Sequence, residues 1–319
     1  GGFTKLNYFW DIRKSHLLYR KLKNVIREDY AATSQHHLEQ EIVKFIDYWI
    51  KRTGIDDICL AGGTFANVKL NQRIHELESI KTIFVFPHMG DGGTGFGALL
   101  KHLGPKPFFL KNLYFGPSFS DTQIRKDLKK EKMSYFLCRD IEREIAALLA
   151  RGFIVAIFKG RMEYGPRALG NRSILYQATD KDAKEKLNKC LARNEFMPFA
   201  PIVLDEYADS CFHNLEGAGQ SARFMTMTFN CTAFMKKKCP GAVHTDGTAR
   251  PQILSKNENP SMHALLSSYH SITKIPVLIN TSFNIHDEPI VCSPKDAILT
   301  FKKSNIDYLA IGNYLVKAQ

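Results

Sequence analysis

A chain of 319 residues with 44% hydrophobic and 24% charged content has the balance of a globular protein and the length for two cored domains. No uncharged apolar run reaches the roughly 18 residues that a membrane-spanning helix needs, and the N-terminus lacks a signal-peptide pattern. The formal net charge of +12 leaves two classes of partner open, a nucleic acid or small anionic molecules. Its basic residues are spread over both halves, and the densest cluster, Arg125 to Lys132, alternates with acids and apolar residues as a helical face does. No aromatic–basic interleaving of the kind single-strand binders use is present, which argues for the small-ligand class. The seven cysteines are scattered with no CxxC pair, which argues against a disulfide framework and a structural zinc site and for a reducing cytoplasm.

In chain order, Ser34 to Thr53 carries Leu38, Ile42, Phe45, Ile46, Trp49 and Ile50 at helical spacing, and Gly54 ends it. His36 and His37 fall on different faces, as exposed residues. A strand at Asp57–Ala61 runs into Gly62-Gly63, and a helix from about Ala66 to Glu78 follows. A second strand, Thr82–Phe86, leads into Gly90-Asp91-Gly92-Gly93-Thr94-Gly95 and a helix to Leu103, which together make an α/β pattern. The Gly104 to Pro107 stretch reads as a linker and places a domain boundary between about residues 105 and 120. Beyond it, helices near Asp121–Lys132, Ile141–Arg151 and Asp182–Ala192 alternate with strands at Phe153–Phe158, Ile202–Leu204, Phe224–Phe229 and Val277–Ile279, an α+β reading. Glu216 to Gln220 reads as a mobile loop.

The segment Gly160 to Ser173 is the most specific chemical signal. It places Arg161, Arg167 and Arg172, with Glu163, in a turn punctuated by glycines and Pro166, directly after an apolar strand. Arginine's rigid fork of donors matches phosphate and carboxylate oxygens, so the segment reads as a site for a phosphorylated or carboxylated ligand. The Gly90–Gly95 run satisfies GxGxxG, but no acidic residue stands about 20 positions on to hold a ribose, which argues against a dinucleotide fold. Two glycine turns at the ends of neighbouring strands, Gly62-Gly63 and Gly92-Gly93, suit instead an actin-like nucleotide fold, with helix N-termini facing phosphates. Asp91, flanked by glycines, is read either as a hard-metal ligand or as a helix cap. His244 and Asp246 are read either as an acid–base pair or as a turn at Asp246-Gly247.

GRMEYGPRALGNRSIL from Gly160, followed by Pro198-Phe199-Ala200-Pro201, His244 to Arg250, Asn280-Thr281-Ser282-Phe283-Asn284 and Glu288-Pro289-Ile290-Val291, resembles the NodU/CmcH/TobZ carbamoyltransferases. The likeness covers essentially the whole chain, whereas family members are much longer, the N-terminal half of their first domain having no counterpart here. It implies the C-terminal half of an actin-like (ASKHA) domain over 1–112, followed by a YrdC-like α+β domain over 113–319. The implied activity is ATP-dependent transfer of a carbamoyl group from carbamoyl phosphate, through a carbamoyl-adenylate, to a small-molecule hydroxyl or amine.

Carried onto this sequence, the resemblance makes Arg161, Arg167, Arg250 and His244 candidate catalytic residues. Glu163, Arg172, Arg193, Asn280 and Ser282 become candidates for binding carbamoyl phosphate and ATP, with Mg2+ possible alongside ATP. Glu163 is read as orienting an arginine, accepting from the carbamoyl NH2, or forming a structural salt bridge. Gly62, Gly63, Asn67, Gly92 and Gly93 line the first-domain nucleotide site, and Asp91 takes the place of a ligand to Fe(II) or another divalent metal. The family's histidine ligands have no counterpart here, so the chain alone need not hold the metal. Leu191 and Met197 stand where many members carry cations, with Arg193 and Lys189 as substitutes. A homodimer is compatible with all of this. Two other readings remain: a tRNA-modification or nucleic-acid-binding protein, and a non-catalytic anion-binding fragment.

Overall fold

The computed structural model describes residues 25–104, 106, 108–192 and 198–318, which fall into two compact units, Gly1–Gly54 and Ile55–Gln319. In the first, helix α1 (Arg27–Thr53) begins a full turn and more before the expected Ser34. Its added turns hold Glu28 and Asp29, acids that suit a helix N-terminus, and two alanines. Gly54, at φ 70°, returns its N–H to the Ile50 carbonyl and stops the helix as expected. His36 and His37 are exposed.

The second unit opens with β1 (Asp57–Leu60), α2 (Val68–His75), β2 (Thr82–Val85) and α3 (Gly92–Leu103). β1 and β2 are parallel, Asp57 opposite Thr82. Asn67 caps α2 by accepting from the Leu70 N–H at 3.1 Å, and Leu70 and Ile74 are fully buried beneath it. The remaining elements are α4 (Asp121–Lys130), β3 (Phe136–Leu137), α5 (Ile141–Ala150), β4 (Val155–Phe158), β5 (Arg172–Gln177), α6 (Ala183–Cys190) and β6 (Ala200–Leu204). They continue with β7 (Phe229–Asn230), β8 (Thr248–Ala249), β9 (Gln252–Leu254), α7 (Pro260–Thr273), β10 (Val277–Ser282), α8 (Pro294–Lys303), β11 (Tyr308–Ile311) and β12 (Tyr314–Lys317).

Eight strands form one mixed sheet in the order β3-β12-β11-β4-β5-β10-β6-β9, with β4–β11 and β6–β9 parallel and the other pairs antiparallel. Val155, Ile157, Leu175 and Leu278 pack on one face against Ile145 and Leu149 of α5 and Leu265 and Leu266 of α7. The alternating residues Ala156, Phe158, Ile279 and Ile311 are buried too, so both faces are covered; this is why β4 and β10 read as continuous apolar runs. The central pairing sets Asn280 beside Leu175 and Ala200, and Ser282 beside Ser173, and so brings the first and last sequence blocks together.

Two expectations fail. Of Phe224–Phe229, only Phe229 lies in a strand; residues 223–225 form a turn in which Met225 takes φ 58°. The apolar–polar alternation that suggests a strand has another cause here. Thr226 Oγ1 donates to the Ser221 carbonyl at 2.9 Å and closes the turn, and Thr228 Oγ1 donates to Gln72 Oε1 at 2.8 Å and docks the segment onto α2. Glu216 to Gln220 is likewise no loose loop: the Gly217 carbonyl accepts from the Ile83 N–H at 2.9 Å, along the edge of β2.

Candidate functional site

The arginine-bearing turn folds around one carboxylate. Glu163 is buried, and its Oε1 accepts from the N–H groups of Leu169 (2.6 Å), Asn171 (2.8 Å) and Arg172 (3.2 Å). Burial pushes its pKa up, while those same N–H groups pull against the shift. Oε1 thus shapes the loop, while Oε2 is buried without a partner.

Arg172 is fully buried as well. It donates to the carbonyls of Lys159 (3.0 Å) and Asn171 (2.9 Å), and its guanidinium lies 3.7 Å from the Phe158 ring centroid. Burial lowers its pKa to about 10. Arg161 donates to the carbonyls of Phe115 (2.7 Å) and Gly116 (3.1 Å). Both were expected to face a ligand; the structure turns both onto loop carbonyls, which need donors once they leave water.

Arg167 faces the other way. It lines a cavity of about 270 Å³ together with Ala168, Met225, Arg250, Asn280 and Ser282. Among the described residues neither Arg167 nor Arg250 has a hydrogen bond or ion pair, and Arg167 Nε is buried without a partner. Burial, and secondarily Arg167, pulls the Arg250 pKa down to about 9. Two guanidiniums turned on one cavity, with no carboxylate between them among the described residues, suit an anion. The acid at the rim, Asp287, is exposed and lies 3.7 Å from His286 Nε2. Asn280, 1% exposed, donates to Gln252 Oε1 (2.7 Å) and the Ala168 carbonyl (3.2 Å), leaving its buried Oδ1 unpartnered. Ser282 donates to Asn284 Oδ1 at 2.6 Å.

His244 does not line this cavity. Its N–H bonds the Thr248 carbonyl (2.8 Å), its own carbonyl accepts from Gly247 (2.9 Å), and the Asp246 carboxylate accepts from Thr248 Oγ1 (2.7 Å) and Lys69 (2.9 Å). The turn reading is the one realised, and no His–Asp pair forms. Burial drives the His244 pKa to about 4. Leu191 is fully buried in the core, so it is a packing residue; Lys189 is exposed on α6, and Arg193 and Met197 lie outside the described residues.

At the first glycine turns, the Gly62 N–H bonds the Met89 carbonyl (2.7 Å), with φ 111° at Gly62. A Cβ on Gly92 would stand 2.0 Å from His88 Nε2, and one on Gly93 2.2 Å from the His88 carbonyl oxygen. The His88 ring packs edge-on against Tyr164 at 4.8 Å, and Tyr164 Oη donates to the Gly92 carbonyl at 2.6 Å. These two glycines thus make room for a histidine, while a Cβ at Gly63 would meet nothing within 4 Å.

Asp91 makes no side-chain cap bond, so the helix-cap alternative is not realised. Among the described residues it belongs to no cluster of three possible ligand atoms; Asp205, Glu206 and His263 form such a cluster, on the surface around β6 and α7. The residues present around Asp91 do not fit an iron centre.

Sequence reading missed Gln252, which positions Asn280 and also donates to the Leu169 carbonyl (2.9 Å), and Met225 and Ala168 in the cavity wall. None carries a charge or a spacing that would single it out.

Residues 146–318 match the family described as Carbamoyltransferase C-terminus and residues 5–100 the one described as Carbamoyltransferase N-terminus. The chain belongs to the carbamoyltransferase family. It is 37% identical to an uncharacterized protein of Methanocaldococcus jannaschii over 98% of this chain and 52% of that protein. It is 34% identical to nodulation protein NolNO of Sinorhizobium fredii, over 91% of this chain and 44% of that one, and 34% identical to nodulation protein NolO of Bradyrhizobium diazoefficiens, over 91% and 54%. This family member thus spans about half the length of the curated relatives it matches. HypF of T. kodakarensis is 22% identical, covering 55% of this chain and 21% of its own, at a TM-score of 0.40.

Proposed function

We propose that the cavity between Arg167 and Arg250 binds carbamoyl phosphate, and that the chain is the carbamoyl-activating part of an ATP-dependent carbamoyltransferase. The observation that carries this reading is the pair of unpartnered guanidiniums beside an orphaned amide oxygen, Asn280 Oδ1. A phosphate suits the two forks, and a carbamoyl NH2 suits an acceptor with no other partner.

Activation by ATP, as proposed, consumes carbamoyl phosphate, ATP and one water. Water attack releases phosphate and leaves carbamate. A carbamate oxygen then adds to the α-phosphorus of ATP, and pyrophosphate leaves with the electron pair of the broken P–O bond. Carbamoyl-adenylate remains; a small hydroxyl or amine attacks its carbonyl carbon, AMP leaves with the electron pair of the broken C–O bond, and the attacking group loses its proton. Positive charge fixed in a partly dry cleft stabilises the phosphate without reorganisation. Mg2+ would accompany the nucleotide. The proposed division is an actin-like remainder over 1–112 and a YrdC-like domain over 113–319.

Calorimetric titration of carbamoyl phosphate into the parent and into Arg250→Ala tests the assignment. A charge-assisted hydrogen bond contributes roughly 1.5–3 kcal/mol, so the variant should bind about ten- to a hundred-fold more weakly. Equal binding by both proteins would remove Arg250 from the site and the cavity from the reaction.

A further inference from the structure

Beyond the arginines, the cavity is lined by two residues, Ala168 and Met225, whose main-chain N–H groups have no acceptor among the described residues. Ala168 is 4% exposed and Met225 2% exposed, and both line the cavity. Among the described residues neither N–H has a hydrogen-bond partner. Of the adjoining N–H groups, that of Leu169 bonds Glu163 (2.6 Å), that of Gly170 bonds Ser173 Oγ (2.8 Å), and those of Phe224 and Thr226 both reach the Ser221 carbonyl (3.3 and 3.4 Å), whereas that of Arg167, like that of Ala168, has no partner among the described residues. Buried N–H groups without acceptors are rare in folded proteins, and two on one cavity mark a place where an acceptor is brought from outside.

The backbone at Met225 strengthens the case. At φ 58° it lies in the left-handed region that an L side chain rarely adopts, and such conformations persist only where the surroundings enforce them. Here the enforcement is visible. Ser221 Oγ sits between the Ile83 carbonyl (3.2 Å) and the Val85 N–H (3.0 Å) of β2, and Asn71 of α2 donates to the Thr226 carbonyl at 2.7 Å. The turn is thus clamped on both sides of the residue whose N–H is left open.

We infer that the N–H groups of Ala168 and Met225 form an oxyanion site that holds the carbamoyl oxygen. This rests on the cavity's being the carbamoyl phosphate site. It divides the ligand by chemistry: phosphate to Arg167 and Arg250, NH2 to Asn280 Oδ1, and the remaining oxygen to two neutral donors. Held in place before the ligand arrives, such donors favour charge on that oxygen at no cost of reorganisation. They also discriminate, because a bare phosphate satisfies the arginines without needing them.

The test removes each N–H while keeping the side chain. In the intact chain, Ala168 or Met225 is replaced by its α-hydroxy acid counterpart, which turns the amide into an ester. Carbamoyl phosphate and inorganic phosphate are then titrated separately. Each ester should weaken carbamoyl phosphate about three- to ten-fold, the loss of one hydrogen bond, and leave phosphate unchanged. The melting temperature should hold, because no internal bond is lost, whereas an ester at Leu169 should lower it. Equal weakening of both ligands, no change in either, or a lower melting temperature for the Ala168 and Met225 esters would overturn the inference. A parent that binds neither ligand, or an Arg250→Ala variant that keeps full phosphate affinity, would instead overturn the cavity assignment and take this inference with it.

Discussion

Arg161, Arg167 and Arg172 share one short segment but have different fates, because each guanidinium goes where its five donors find acceptors. Arg161 and Arg172 meet loop carbonyls; Arg167 meets a second arginine across a cavity and stays unpaired. His244 obeys the same rule of desolvation. Its folded pKa of about 4 lies below the ordinary 6.5, so the folded state prefers the neutral ring. That preference is present in full above pH 6.5 and is lost as the pH falls towards 4. Urea unfolding at pH 7.0 and 4.5 should show a drop for the parent that exceeds the drop for His244→Gln by on the order of 1–2 kcal/mol, after discounting for partial exposure. Identical drops in the two proteins would mean that the ring is solvated. In the sequence the blocks containing Arg167, Arg250 and Asn280 are legible as anion chemistry, since residue type alone limits what they bind. Their sorting from Arg161 and Arg172 is not, because it depends on which carbonyls the folded loop buries.

Helix α2 does more than the periodicity of Leu70 and Ile74 predicts. Its polar face is buried too: Asn71 is 0% and Gln72 3% exposed, and both bond to the 226–230 segment. Asn71 Nδ2 donates to the carbonyls of Phe65 (2.8 Å) and Thr226 (2.7 Å). Asn71→Ala would leave one buried and one half-buried carbonyl without their donor, so it should cost about 1–3 kcal/mol in urea denaturation. It should also weaken carbamoyl phosphate, by releasing the Met225 turn. Asn71→Asp has no donor to offer and should not rescue either effect; a full rescue would show that shape, not hydrogen bonding, holds the turn. The same docking explains the misread strand at 224–229. A period of two in the sequence records which side chains turn inward, and a turn clamped on a helix can produce it as well as a sheet.

At the scale of the molecule, the charge of +12 is dispersed, and among the described residues Arg167 and Arg250 converge on one cavity. Small-anion binding at a partly enclosed pair is screened less than binding along a nucleic-acid backbone. Between 50 and 200 mM salt, carbamoyl phosphate affinity should fall by about ten-fold or less, and a short RNA should show no binding at 150 mM salt. RNA binding with a steep salt slope, approximately −0.7 per phosphate contact, would reopen the nucleic-acid reading.

The sequence by itself determined the family, the mixed α/β character, most of the helices and which residue types line the cavity, because these follow from residue types and their spacing. Tertiary structure alone decided the order of the eight strands, the inward turn of Arg167 against the structural use of Arg161, Arg172 and Glu163, and the room that Gly92 makes for His88. It also decided which main-chain N–H groups go unpaired at Ala168 and Met225. Donors and acceptors are written into every residue, but which of them remain free depends on what the folded chain buries beside them.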